Sequence, residues 1–521
     1  SYAAAEKISQ FSEAIKLAAG IQIEVLSDRE TVAPTESFPA SVKVFYPETP
    51  NIKIEKINLH TFYSEHQGWK VQRAEEPKND SPLAAFSREK AVAAAYFNVS
   101  VPSGAELTQP YFLKEARENY HYAVQDFSSR NLPFQYPVAY GAVSLEINGV
   151  SVHLSQPLEY RYADDIRGEV RRDLNVVPKV SLSLDQKLLI APLSRARQNR
   201  RITVGVTNNA SREMKGQARL NLPQGWKAEP AATNFELKTK GAKTSIVFNV
   251  TIPPLSTGAN YKIGAEALME SGETLAQEMH TLAYPHVRTH RYYTTAEAAI
   301  NVFDLKSVPA GIRVGYVMGT GDAVPEAIRQ MGLSVETLSE KDLTSGDLSR
   351  FDVLVAGIRA FQVRQDLVSN NQRILDYVRD GGTLIVQYQR PEYENLLPFP
   401  AKLGARVADE NAKVTILEPR HPVFNFPNKI TDKDFESWVQ ERNLYSFSTF
   451  DANYKPLLES HDPNEPENKG GLVAAEIGKG KYVYTSYAFF RQLPAGVPGA
   501  YRLFANLLSL PKSPKTQKNI K

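Results

Sequence analysis

Side chains able to hydrogen bond to a ligand follow three short apolar runs in the C-terminal half of the chain. They are Asp322, Arg359, Gln362, Gln387, Tyr388, Gln389 and Arg390. Apolar runs of this length are typical of buried strands. Because ligands of open α/β sheets bind beyond the carboxyl ends of the strands, we expect these residues to form one polar crescent. His421 is a further candidate for ligand binding.

The crescent lacks the groups that bond cleavage needs. No Cys, His or obvious acid–base pair stands among its seven residues. A hydrolase requires an activated nucleophile or an activated water. Hydrogen bonding to a sugar therefore fits these side chains better than catalysis, and the sequence indicates no catalytic residue.

The turn Gly319-Thr320-Gly321 lies between a strand pattern and a helix pattern, where a helix N-terminus can hold an anion. It does not complete a dinucleotide-binding motif, because position 324 is Val. No Gly-Lys-Ser/Thr follows, so it is not a phosphate-binding loop either. A tight turn is the expected role.

Metal and cofactor chemistry finds little support in the sequence. The chain has no Cys, which excludes thiolate ligands, disulfides and Cys nucleophiles. His286 and His290 have a spacing that suits a metal on a helix, but Pro285 and the β-rich surroundings argue against a helix there. We therefore expect neither a metal nor a cofactor in this chain.

The elements that must position the crescent have the pattern of a parallel sheet covered on both faces. Apolar strands at 313–317, 352–356 and 383–387 alternate with helices at 324–331 and 372–379. A late strand at 481–486 and a closing helix at 500–510 follow. The pattern predicts a flavodoxin-like domain over 310–510.

Two antiparallel sandwiches are expected before that domain. From Ile21 the apolar residues alternate with polar ones between Pro- and Gly-rich turns. Gly68-Trp69 recurs as Gly225-Trp226, and 97–102 (FNVSVP) recurs as 248–253 (FNVTIP). The repeat predicts two Ig-like β-sandwiches, at 21–165 and 176–290, each with a Trp in its core.

The remaining segments are a helix, an aromatic loop and a tail. Residues 1–20 read as an amphipathic helix or linker whose apolar stripe needs a cover, and 511–521 as a solvated basic tail. The loop at 109–137 is rich in aromatic residues. It either stacks on sugar rings or packs on a neighbouring domain.

Charge and hydropathy exclude several classes of partner. The 521 residues carry 61 basic and 58 acidic side chains, interspersed, for a net charge of +3. No basic block points to nucleic acid or to an anionic membrane. No apolar run approaches the roughly 18 residues of a membrane span.

Four segments resemble the C-terminal region of long bacterial PIG-L (LmbE-like) family de-N-acetylases. They are VGYVMGTGDAVPEAI (314–328), LDYVRDGGTLIVQY (375–388), HPVFNFPNKIT (421–431) and WVQER (438–442). In that family such a region follows a zinc-dependent deacetylase domain. The resemblance implies a non-catalytic accessory region that positions or binds glycan or amino sugar in a secreted or periplasmic, carbohydrate-active hydrolase.

The chain departs from the family at the zinc-binding motif. The zinc motif of the family, His-Pro-Asp-Asp, is absent, and His421-Pro422 is followed by Val423. The resemblance therefore places zinc and catalysis in a deacetylase domain upstream of Ser1, a partner of this chain.

The 310–510 domain also resembles class I glutamine amidotransferase-like and ThuA-like folds. The turn that carries their Cys matches Gln387-Tyr388-Gln389, so amidotransfer by that mechanism is excluded. Two alternatives remain open. One is a structural module, as in a homo-oligomer, without ligand. The other is an unrecognised hydrolase site within 310–510.

Overall fold

The computed structural model describes residues 2–47, 51–62, 68–77, 92–118, 121–124, 130 and 132–514. The chain divides into two compact units. Unit 1 comprises Ser1–Gln186, Asn199–Ile252 and Ile263–Glu297. Unit 2 comprises Lys187–Gln198, Pro253–Lys262 and Ala298–Lys521.

Strands dominate the chain. Up to residue 184 they are β1 (Gln22–Ser27), β2 (Thr31–Val32), β3 (Ser37–Phe45), β4 (Ile52–Thr61), β5 (Lys70–Ala74), β6 (Ala93–Ser100), β7 (Ala139–Ile147), β8 (Val150–Pro157), β9 (Glu159–Asp164), β10 (Gly168–Asp173), β11 (Asn175–Val176) and β12 (Val180–Leu184). Up to residue 303 they are β13 (Leu188–Pro192), β14 (Gln198–Asn208), β15 (Met214–Asn221), β16 (Lys227–Glu229), β17 (Ala232–Leu237), β18 (Lys243–Ile252), β19 (Ala259–Met269), β20 (Thr274–Leu275), β21 (Gln277–Leu282), β22 (His290–Thr295) and β23 (Glu297–Phe303).

The C-terminal part mixes strands and helices. Its strands are β24 (Val314–Val317), β25 (Val335–Thr337), β26 (Val353–Ala356), β27 (Thr383–Gln387), β28 (Ala401–Val407), β29 (Val414–Ile416), β30 (Asn443–Phe450), β31 (Lys455–Pro456), β32 (Leu458–Ser460), β33 (Leu472–Ile477) and β34 (Gly480–Thr485). The helices of the chain are α1 (Tyr2–Ala18), α2 (Val324–Gln330), α3 (Glu340–Ser345), α4 (Ala360–Val363), α5 (Gln365–Ser369), α6 (Asn371–Arg379), α7 (Phe489–Gln492) and α8 (Pro498–Leu508).

The first part of unit 1 is a β-sandwich. A six-stranded sheet, β10-β9-β1-β3-β6-β5, and a three-stranded sheet, β4-β7-β8, contribute to one apolar core. Val25 and Phe38 come from the larger sheet, and Leu59 and Leu145 from the smaller one. The alternation of apolar and polar residues buries one face of each strand. Trp69 lies in this core, as the repeat predicts.

The second part of unit 1 is built from a four-stranded sheet, β12-β14-β18-β16, and from antiparallel pairs of β15 with β17 and β19. Val204 and Phe248 from the first sheet and Ala265 from the second set are fully buried. Trp226 is buried as well. The strands β21 and β22 form a separate hairpin whose loop spans 283–289.

Helix α1 keeps its apolar stripe exposed. Ile8 is 67% exposed, and Phe11 and Leu17 are each 69% exposed. The cover that the sequence predicts for this stripe is not provided by the described residues of unit 1.

Unit 2 contains a seven-stranded sheet in the order β25-β24-β26-β27-β34-β33-β31. The first five strands are parallel, β33 runs antiparallel to β34, and β31 pairs antiparallel with β33 and so runs in the direction of the first five. The strands β24, β26 and β27 are buried along their whole length, which explains their unbroken apolar composition. Apolar clusters cover both faces, one including α2 and α8 and the other α5 and α6.

The prediction of a β-rich chain with several sheets is confirmed. The flavodoxin-like class of the last domain and the predicted domain boundaries stay predictions. In the aromatic loop 109–137, Tyr120 and Phe127 lie outside the described residues, as does 515–521 of the basic tail.

Candidate functional site

Parallel pairing brings the ends of four strands of unit 2 to one edge of the sheet. Val317 lies opposite Ala356, and Gln387 lies opposite Thr485. The residues that follow these positions therefore share this edge. Asp322 follows β24, Arg359 follows β26, and Tyr388 follows β27, as the sequence predicts for the crescent.

The loops after β24 and β26 touch each other through their backbones. The amide of Thr320 donates to the carbonyl oxygen of Ile358 at 3.2 Å. A Cβ on Gly319 would lie 2.0 Å from the same oxygen, so only Gly fits there. The Gly319-Thr320-Gly321 segment is thus a tight turn. It joins the loops after these two strands.

Asp322 is held by a buried phenol. The Tyr316 hydroxyl donates to the Asp322 carboxylate at 2.7 Å and receives a hydrogen bond from Gln387 Nε2 at 2.9 Å. Burial, and then the nearby Asp322 charge, hold the pKa of Tyr316 well above its usual range. The backbone amide of Val324 also donates to Asp322, at 3.0 Å. Asp322 therefore orders the turn before α2.

Gln387 leaves one acceptor unused. Its Oε1 is buried and has no hydrogen-bond partner among the described residues. Buried polar atoms are nearly always paired with protein or water. This oxygen is consequently a candidate acceptor for a water or a ligand hydroxyl.

Arg359 and Gln362 form a short polar chain. Arg359 has a left-handed backbone (φ 55°), and its amide donates to the Tyr388 carbonyl at 2.9 Å. Its Nε donates to Gln362 Oε1 at 2.6 Å, and Gln362 Nε2 donates to Glu392 Oε1 at 3.4 Å. Arg359 is thus linked through Gln362 to Glu392, which follows β27 in the chain.

Gln389 has a positioning role instead of a ligand-facing one. It is fully buried, and its Nε2 donates to the carbonyls of Gly357 and Gln387, both at 2.8 Å. Its Oε1 accepts from the amide of Phe361 at 3.1 Å. The amide group is therefore used entirely to join the loops after β26 and β27.

Tyr388 is the centre of three near-parallel rings, which we call the aromatic strip. The strip consists of Tyr445, Tyr388 and Phe490. The Tyr388 ring lies 5.5 Å from that of Tyr445 with an interplanar angle of 24°, and 5.8 Å from that of Phe490 with an angle of 18°. All three residues are half-buried. Burial, and then the neighbouring Tyr445, raise the pKa of Tyr388.

Two arginines flank the strip. The Arg390 guanidinium lies 5.8 Å from the centre of the Tyr445 ring, and that of Arg491 lies 4.9 Å from the centre of the Phe490 ring. Arg390 Nε is buried without a hydrogen-bond partner among the described residues. Arg491 is held by Glu441, at 2.9 Å.

Sequence reasoning missed half of this arrangement. Tyr445 lies on β30, and Phe490 and Arg491 lie on α7, far along the chain from Tyr388. Only the packing of β30 and α7 against the end of β27 brings them together. No local spacing in the sequence signals that contact.

His421 lies away from the strip. Its Nδ1 accepts the backbone amide of Val423 at 3.2 Å, and burial lowers the pKa of His421 to about 4. Lys455 and Lys481 lower the pKa further. Because Lys481 pairs with Thr383 at the start of β27, it lies at the sheet edge opposite the crescent. The structure therefore does not bring His421 together with the other candidates.

No group of three His, Asp or Glu residues that could hold a metal occurs among the residues that the structure describes. The pair predicted to be unsuited to a metal, His286 and His290, lies on the β21–β22 hairpin. Within the described ranges, no helix is long and apolar enough to cross a membrane.

No protein-family model and no curated protein matches the chain. Among solved structures it is similar to a β-galactosidase from Rahnella sp. R3, at 12% identity and a TM-score of 0.26, over 40% of this chain and 32% of that one. A β-galactosidase from Bacillus circulans sp. alkalophilus matches at 13% identity and a TM-score of 0.26, over 39% and 31% of the two chains. Trypsin-activated α2-macroglobulin from Escherichia coli matches at 11% identity and a TM-score of 0.19, over 69% and 25%.

The matched part thus spans about a third of each β-galactosidase. Similarities with TM-scores this low define neither a shared fold nor a shared function.

Proposed function

We propose that this chain is a non-catalytic accessory region of a PIG-L-type N-deacetylase and that its aromatic strip binds the sugar substrate. Zinc and the deacetylase chemistry belong, in this proposal, to a separate domain, and the secreted or periplasmic location rests on the family resemblance alone. The observation that carries the sugar-binding part is the row of near-parallel rings formed by Tyr445, Tyr388 and Phe490.

The chemistry of the strip supports a sugar ligand. A pyranose ring presents a face of C–H groups that packs on aromatic rings, while its hydroxyls need hydrogen-bond donors and acceptors at the rim. Arg390 and Gln387 each have one buried polar atom without a protein partner. A sugar hydroxyl at the rim would accept from Arg390 Nε, and a water would donate to the deeper Gln387 Oε1.

The strand order supports the flavodoxin-like part of the proposal. In chain order the five parallel strands read 2-1-3-4-5, which is the order of flavodoxin-like sheets. Such sheets bind ligands beyond the carboxyl ends of their strands. The strip lies at that edge.

Binding of N-acetylglucosamine oligomers and of their deacetylated forms tests the proposal. We expect Tyr388→Ala to raise the dissociation constant by roughly three- to tenfold, because a stacked aromatic ring contributes about 0.5–1.5 kcal/mol beyond its buried area. Tyr388→Phe is the matched control, since it retains the ring and should bind like the unchanged chain. Isothermal titration calorimetry measures both.

The outcomes separate the three possible roles. Equal binding by the Ala and Phe variants would show that the strip is not the site. Absence of binding together with absence of acetate release would favour a structural module. Acetate release without metal would reveal a hydrolase site in this chain.

A further inference from the structure

A cavity in unit 1 is lined by arginines. Its volume is about 300 Å³, and it lies between strand β10 and the 283–289 loop of the β21–β22 hairpin. Arg167, Arg171, Arg172 and Arg288 line it, with Asp173 as the single carboxylate among its lining residues, all of which the structure describes. The cavity wall is therefore rich in arginine, and each of the four arginines also pairs with an acidic residue.

Acidic side chains hold these arginines in place. Arg172 donates Nη1 to Glu30 at 2.9 Å, Arg167 donates Nη2 to Asp164 at 2.9 Å, and Arg171 donates Nε to Glu169 at 2.7 Å. Arg171 also donates to Glu159 and Glu24. Each guanidinium has five N–H donors on a planar fork, so Arg172, bonded to Glu30, and Arg288, bonded to Asp173, keep donors for a second anion. The ion pairs thus preorganise the arginines, which lowers the cost of binding.

Arg288 contacts a carboxylate and an aromatic ring. Its Nη2 donates to Asp173 at 2.9 Å, and its guanidinium lies 5.0 Å from the centre of the Phe134 ring. Phe134 in turn stacks on His290, with ring centres 5.2 Å apart. Burial raises the pKa of Asp173 although Arg288 opposes the rise.

An aromatic side chain stands at the mouth of the cavity. Tyr284 lines it and is 59% exposed, next to Pro285 and the exposed Val287. A polar acceptor lies on the other side of the Arg288–Asp173 pair, in an adjoining cavity of about 70 Å³. There the Gln135 Oε1 atom is buried without a hydrogen-bond partner among the described residues.

We propose that the cavity between β10 and the 283–289 loop binds an acidic sugar, with Arg172 and Arg288 meeting its anionic group and Tyr284 its ring. The planar arginine forks match a carboxylate or a sulfate. A volume of about 300 Å³ corresponds to the small end of ligand pockets and suits one sugar residue. This site goes beyond the proposed function, because it uses a different unit and a different ligand chemistry.

A sugar fits this cavity better than a nucleic acid. Binding to a phosphate backbone relies on a basic stripe along a surface, whereas here the basic groups line one cavity and pair with acidic residues. The exposed ring of Tyr284 and the apolar Pro285 and Val287 offer a platform for the C–H face of a pyranose.

Titration calorimetry with three matched probes tests the inference on the whole chain. The probes are a trisaccharide of galacturonic acid, the corresponding neutral galactose trisaccharide, and a sulfated galactose trisaccharide. We expect an anionic probe to bind and the neutral one not to bind. Comparison of the galacturonic acid probe with the sulfated probe then identifies which anion the arginines bind. High salt should weaken this binding because it screens the charges.

Variants locate the binding. Arg288→Ala should raise the dissociation constant of the anionic probe by roughly tenfold or more, because a charge-assisted hydrogen bond to the probe is lost. Arg219→Ala is the matched control, since Arg219 is an exposed arginine of the same unit with a Glu266 partner. Tyr284→Ala, at an exposed loop position that should not affect folding, should weaken binding several-fold.

Three results would overturn the inference. They are equal binding of the neutral probe, unchanged binding by both Arg288→Ala and Tyr284→Ala, and Arg288-dependent binding of single-stranded DNA in place of the sugars. Tyr388→Ala should leave binding of the acidic probe unchanged. A result that contradicts the proposal for the cavity can thereby be distinguished from one that contradicts the proposal for the aromatic strip.

Discussion

At the residue scale, the two proposed sites consist of side chains whose partners fix one part of the group and leave another part for a ligand. Tyr388 is fixed by its neighbouring rings, and Arg288 by Asp173 and Phe134. Gln389, by contrast, has all of its donors and its acceptor engaged with the backbone. The distinction between these residues depends on their partners and cannot be predicted from residue type.

His421 provides a prediction about stability and pH. Its folded pKa of about 4 is below the ordinary value of 6.5, because burial disfavours the charged ring. On acidification, His421 is therefore protonated in the unfolded chain before it is protonated in the folded chain. The contribution of neutral His421 to the free energy of unfolding is complete above the unfolded pKa and falls as the pH decreases toward 4. Urea unfolding of the unchanged chain should lose about 2 kcal/mol from this group between about pH 7 and about pH 5.

The variant His421→Gln lacks this titration and serves as the comparison. Its loss of stability over the same pH interval should be smaller by that amount. If both proteins lose the same free energy of unfolding, the buried neutral His421 does not contribute to the acid sensitivity.

At the element scale, the sequence predicts the parallel strands well and the small sheets poorly. The predicted strand 383–387 coincides with β27, because a strand buried on both faces has an unbroken apolar run. The sequence did not predict strands β28 and β30. Their pairing contains register shifts, and their burial pattern does not alternate regularly. Since β30 carries Tyr445, the strip could not be predicted either.

The turn at Gly319 yields a prediction at this scale. Gly319→Ala would place a Cβ 2.0 Å from the carbonyl oxygen of Ile358, so the loop carrying Arg359 must move. We expect a loss of roughly 1–3 kcal/mol in the free energy of unfolding, as for other overpacked positions. Urea unfolding measures the loss.

Gly404→Ala is the control for this change. A Cβ on Gly404, within β28, meets no atom within 4 Å, and its backbone is not left-handed. This variant should retain the stability of the unchanged chain. Equal stability of the two variants would contradict the tight contact between the loops after β24 and β26.

At the scale of the whole molecule, the chain separates into two compact units. Each contains one proposed sugar site, the arginine-lined cavity in unit 1 and the aromatic strip in unit 2. The proposed role as an accessory region of a deacetylase concerns the aromatic strip, whereas the arginine-lined cavity is proposed for an acidic sugar on its own observations. The exposed stripe of α1 is the feature that a structural role would use instead.

The most direct test of the account is a crystal of this chain soaked with an N-acetylglucosamine oligomer, with acetate measured in the same solution. The account predicts a sugar ring bound on the aromatic strip in contact with Tyr388, and no acetate release. A crystal in which the sugar binds elsewhere, or in which the strip stays empty at saturating oligomer, would contradict the proposed role of the strip.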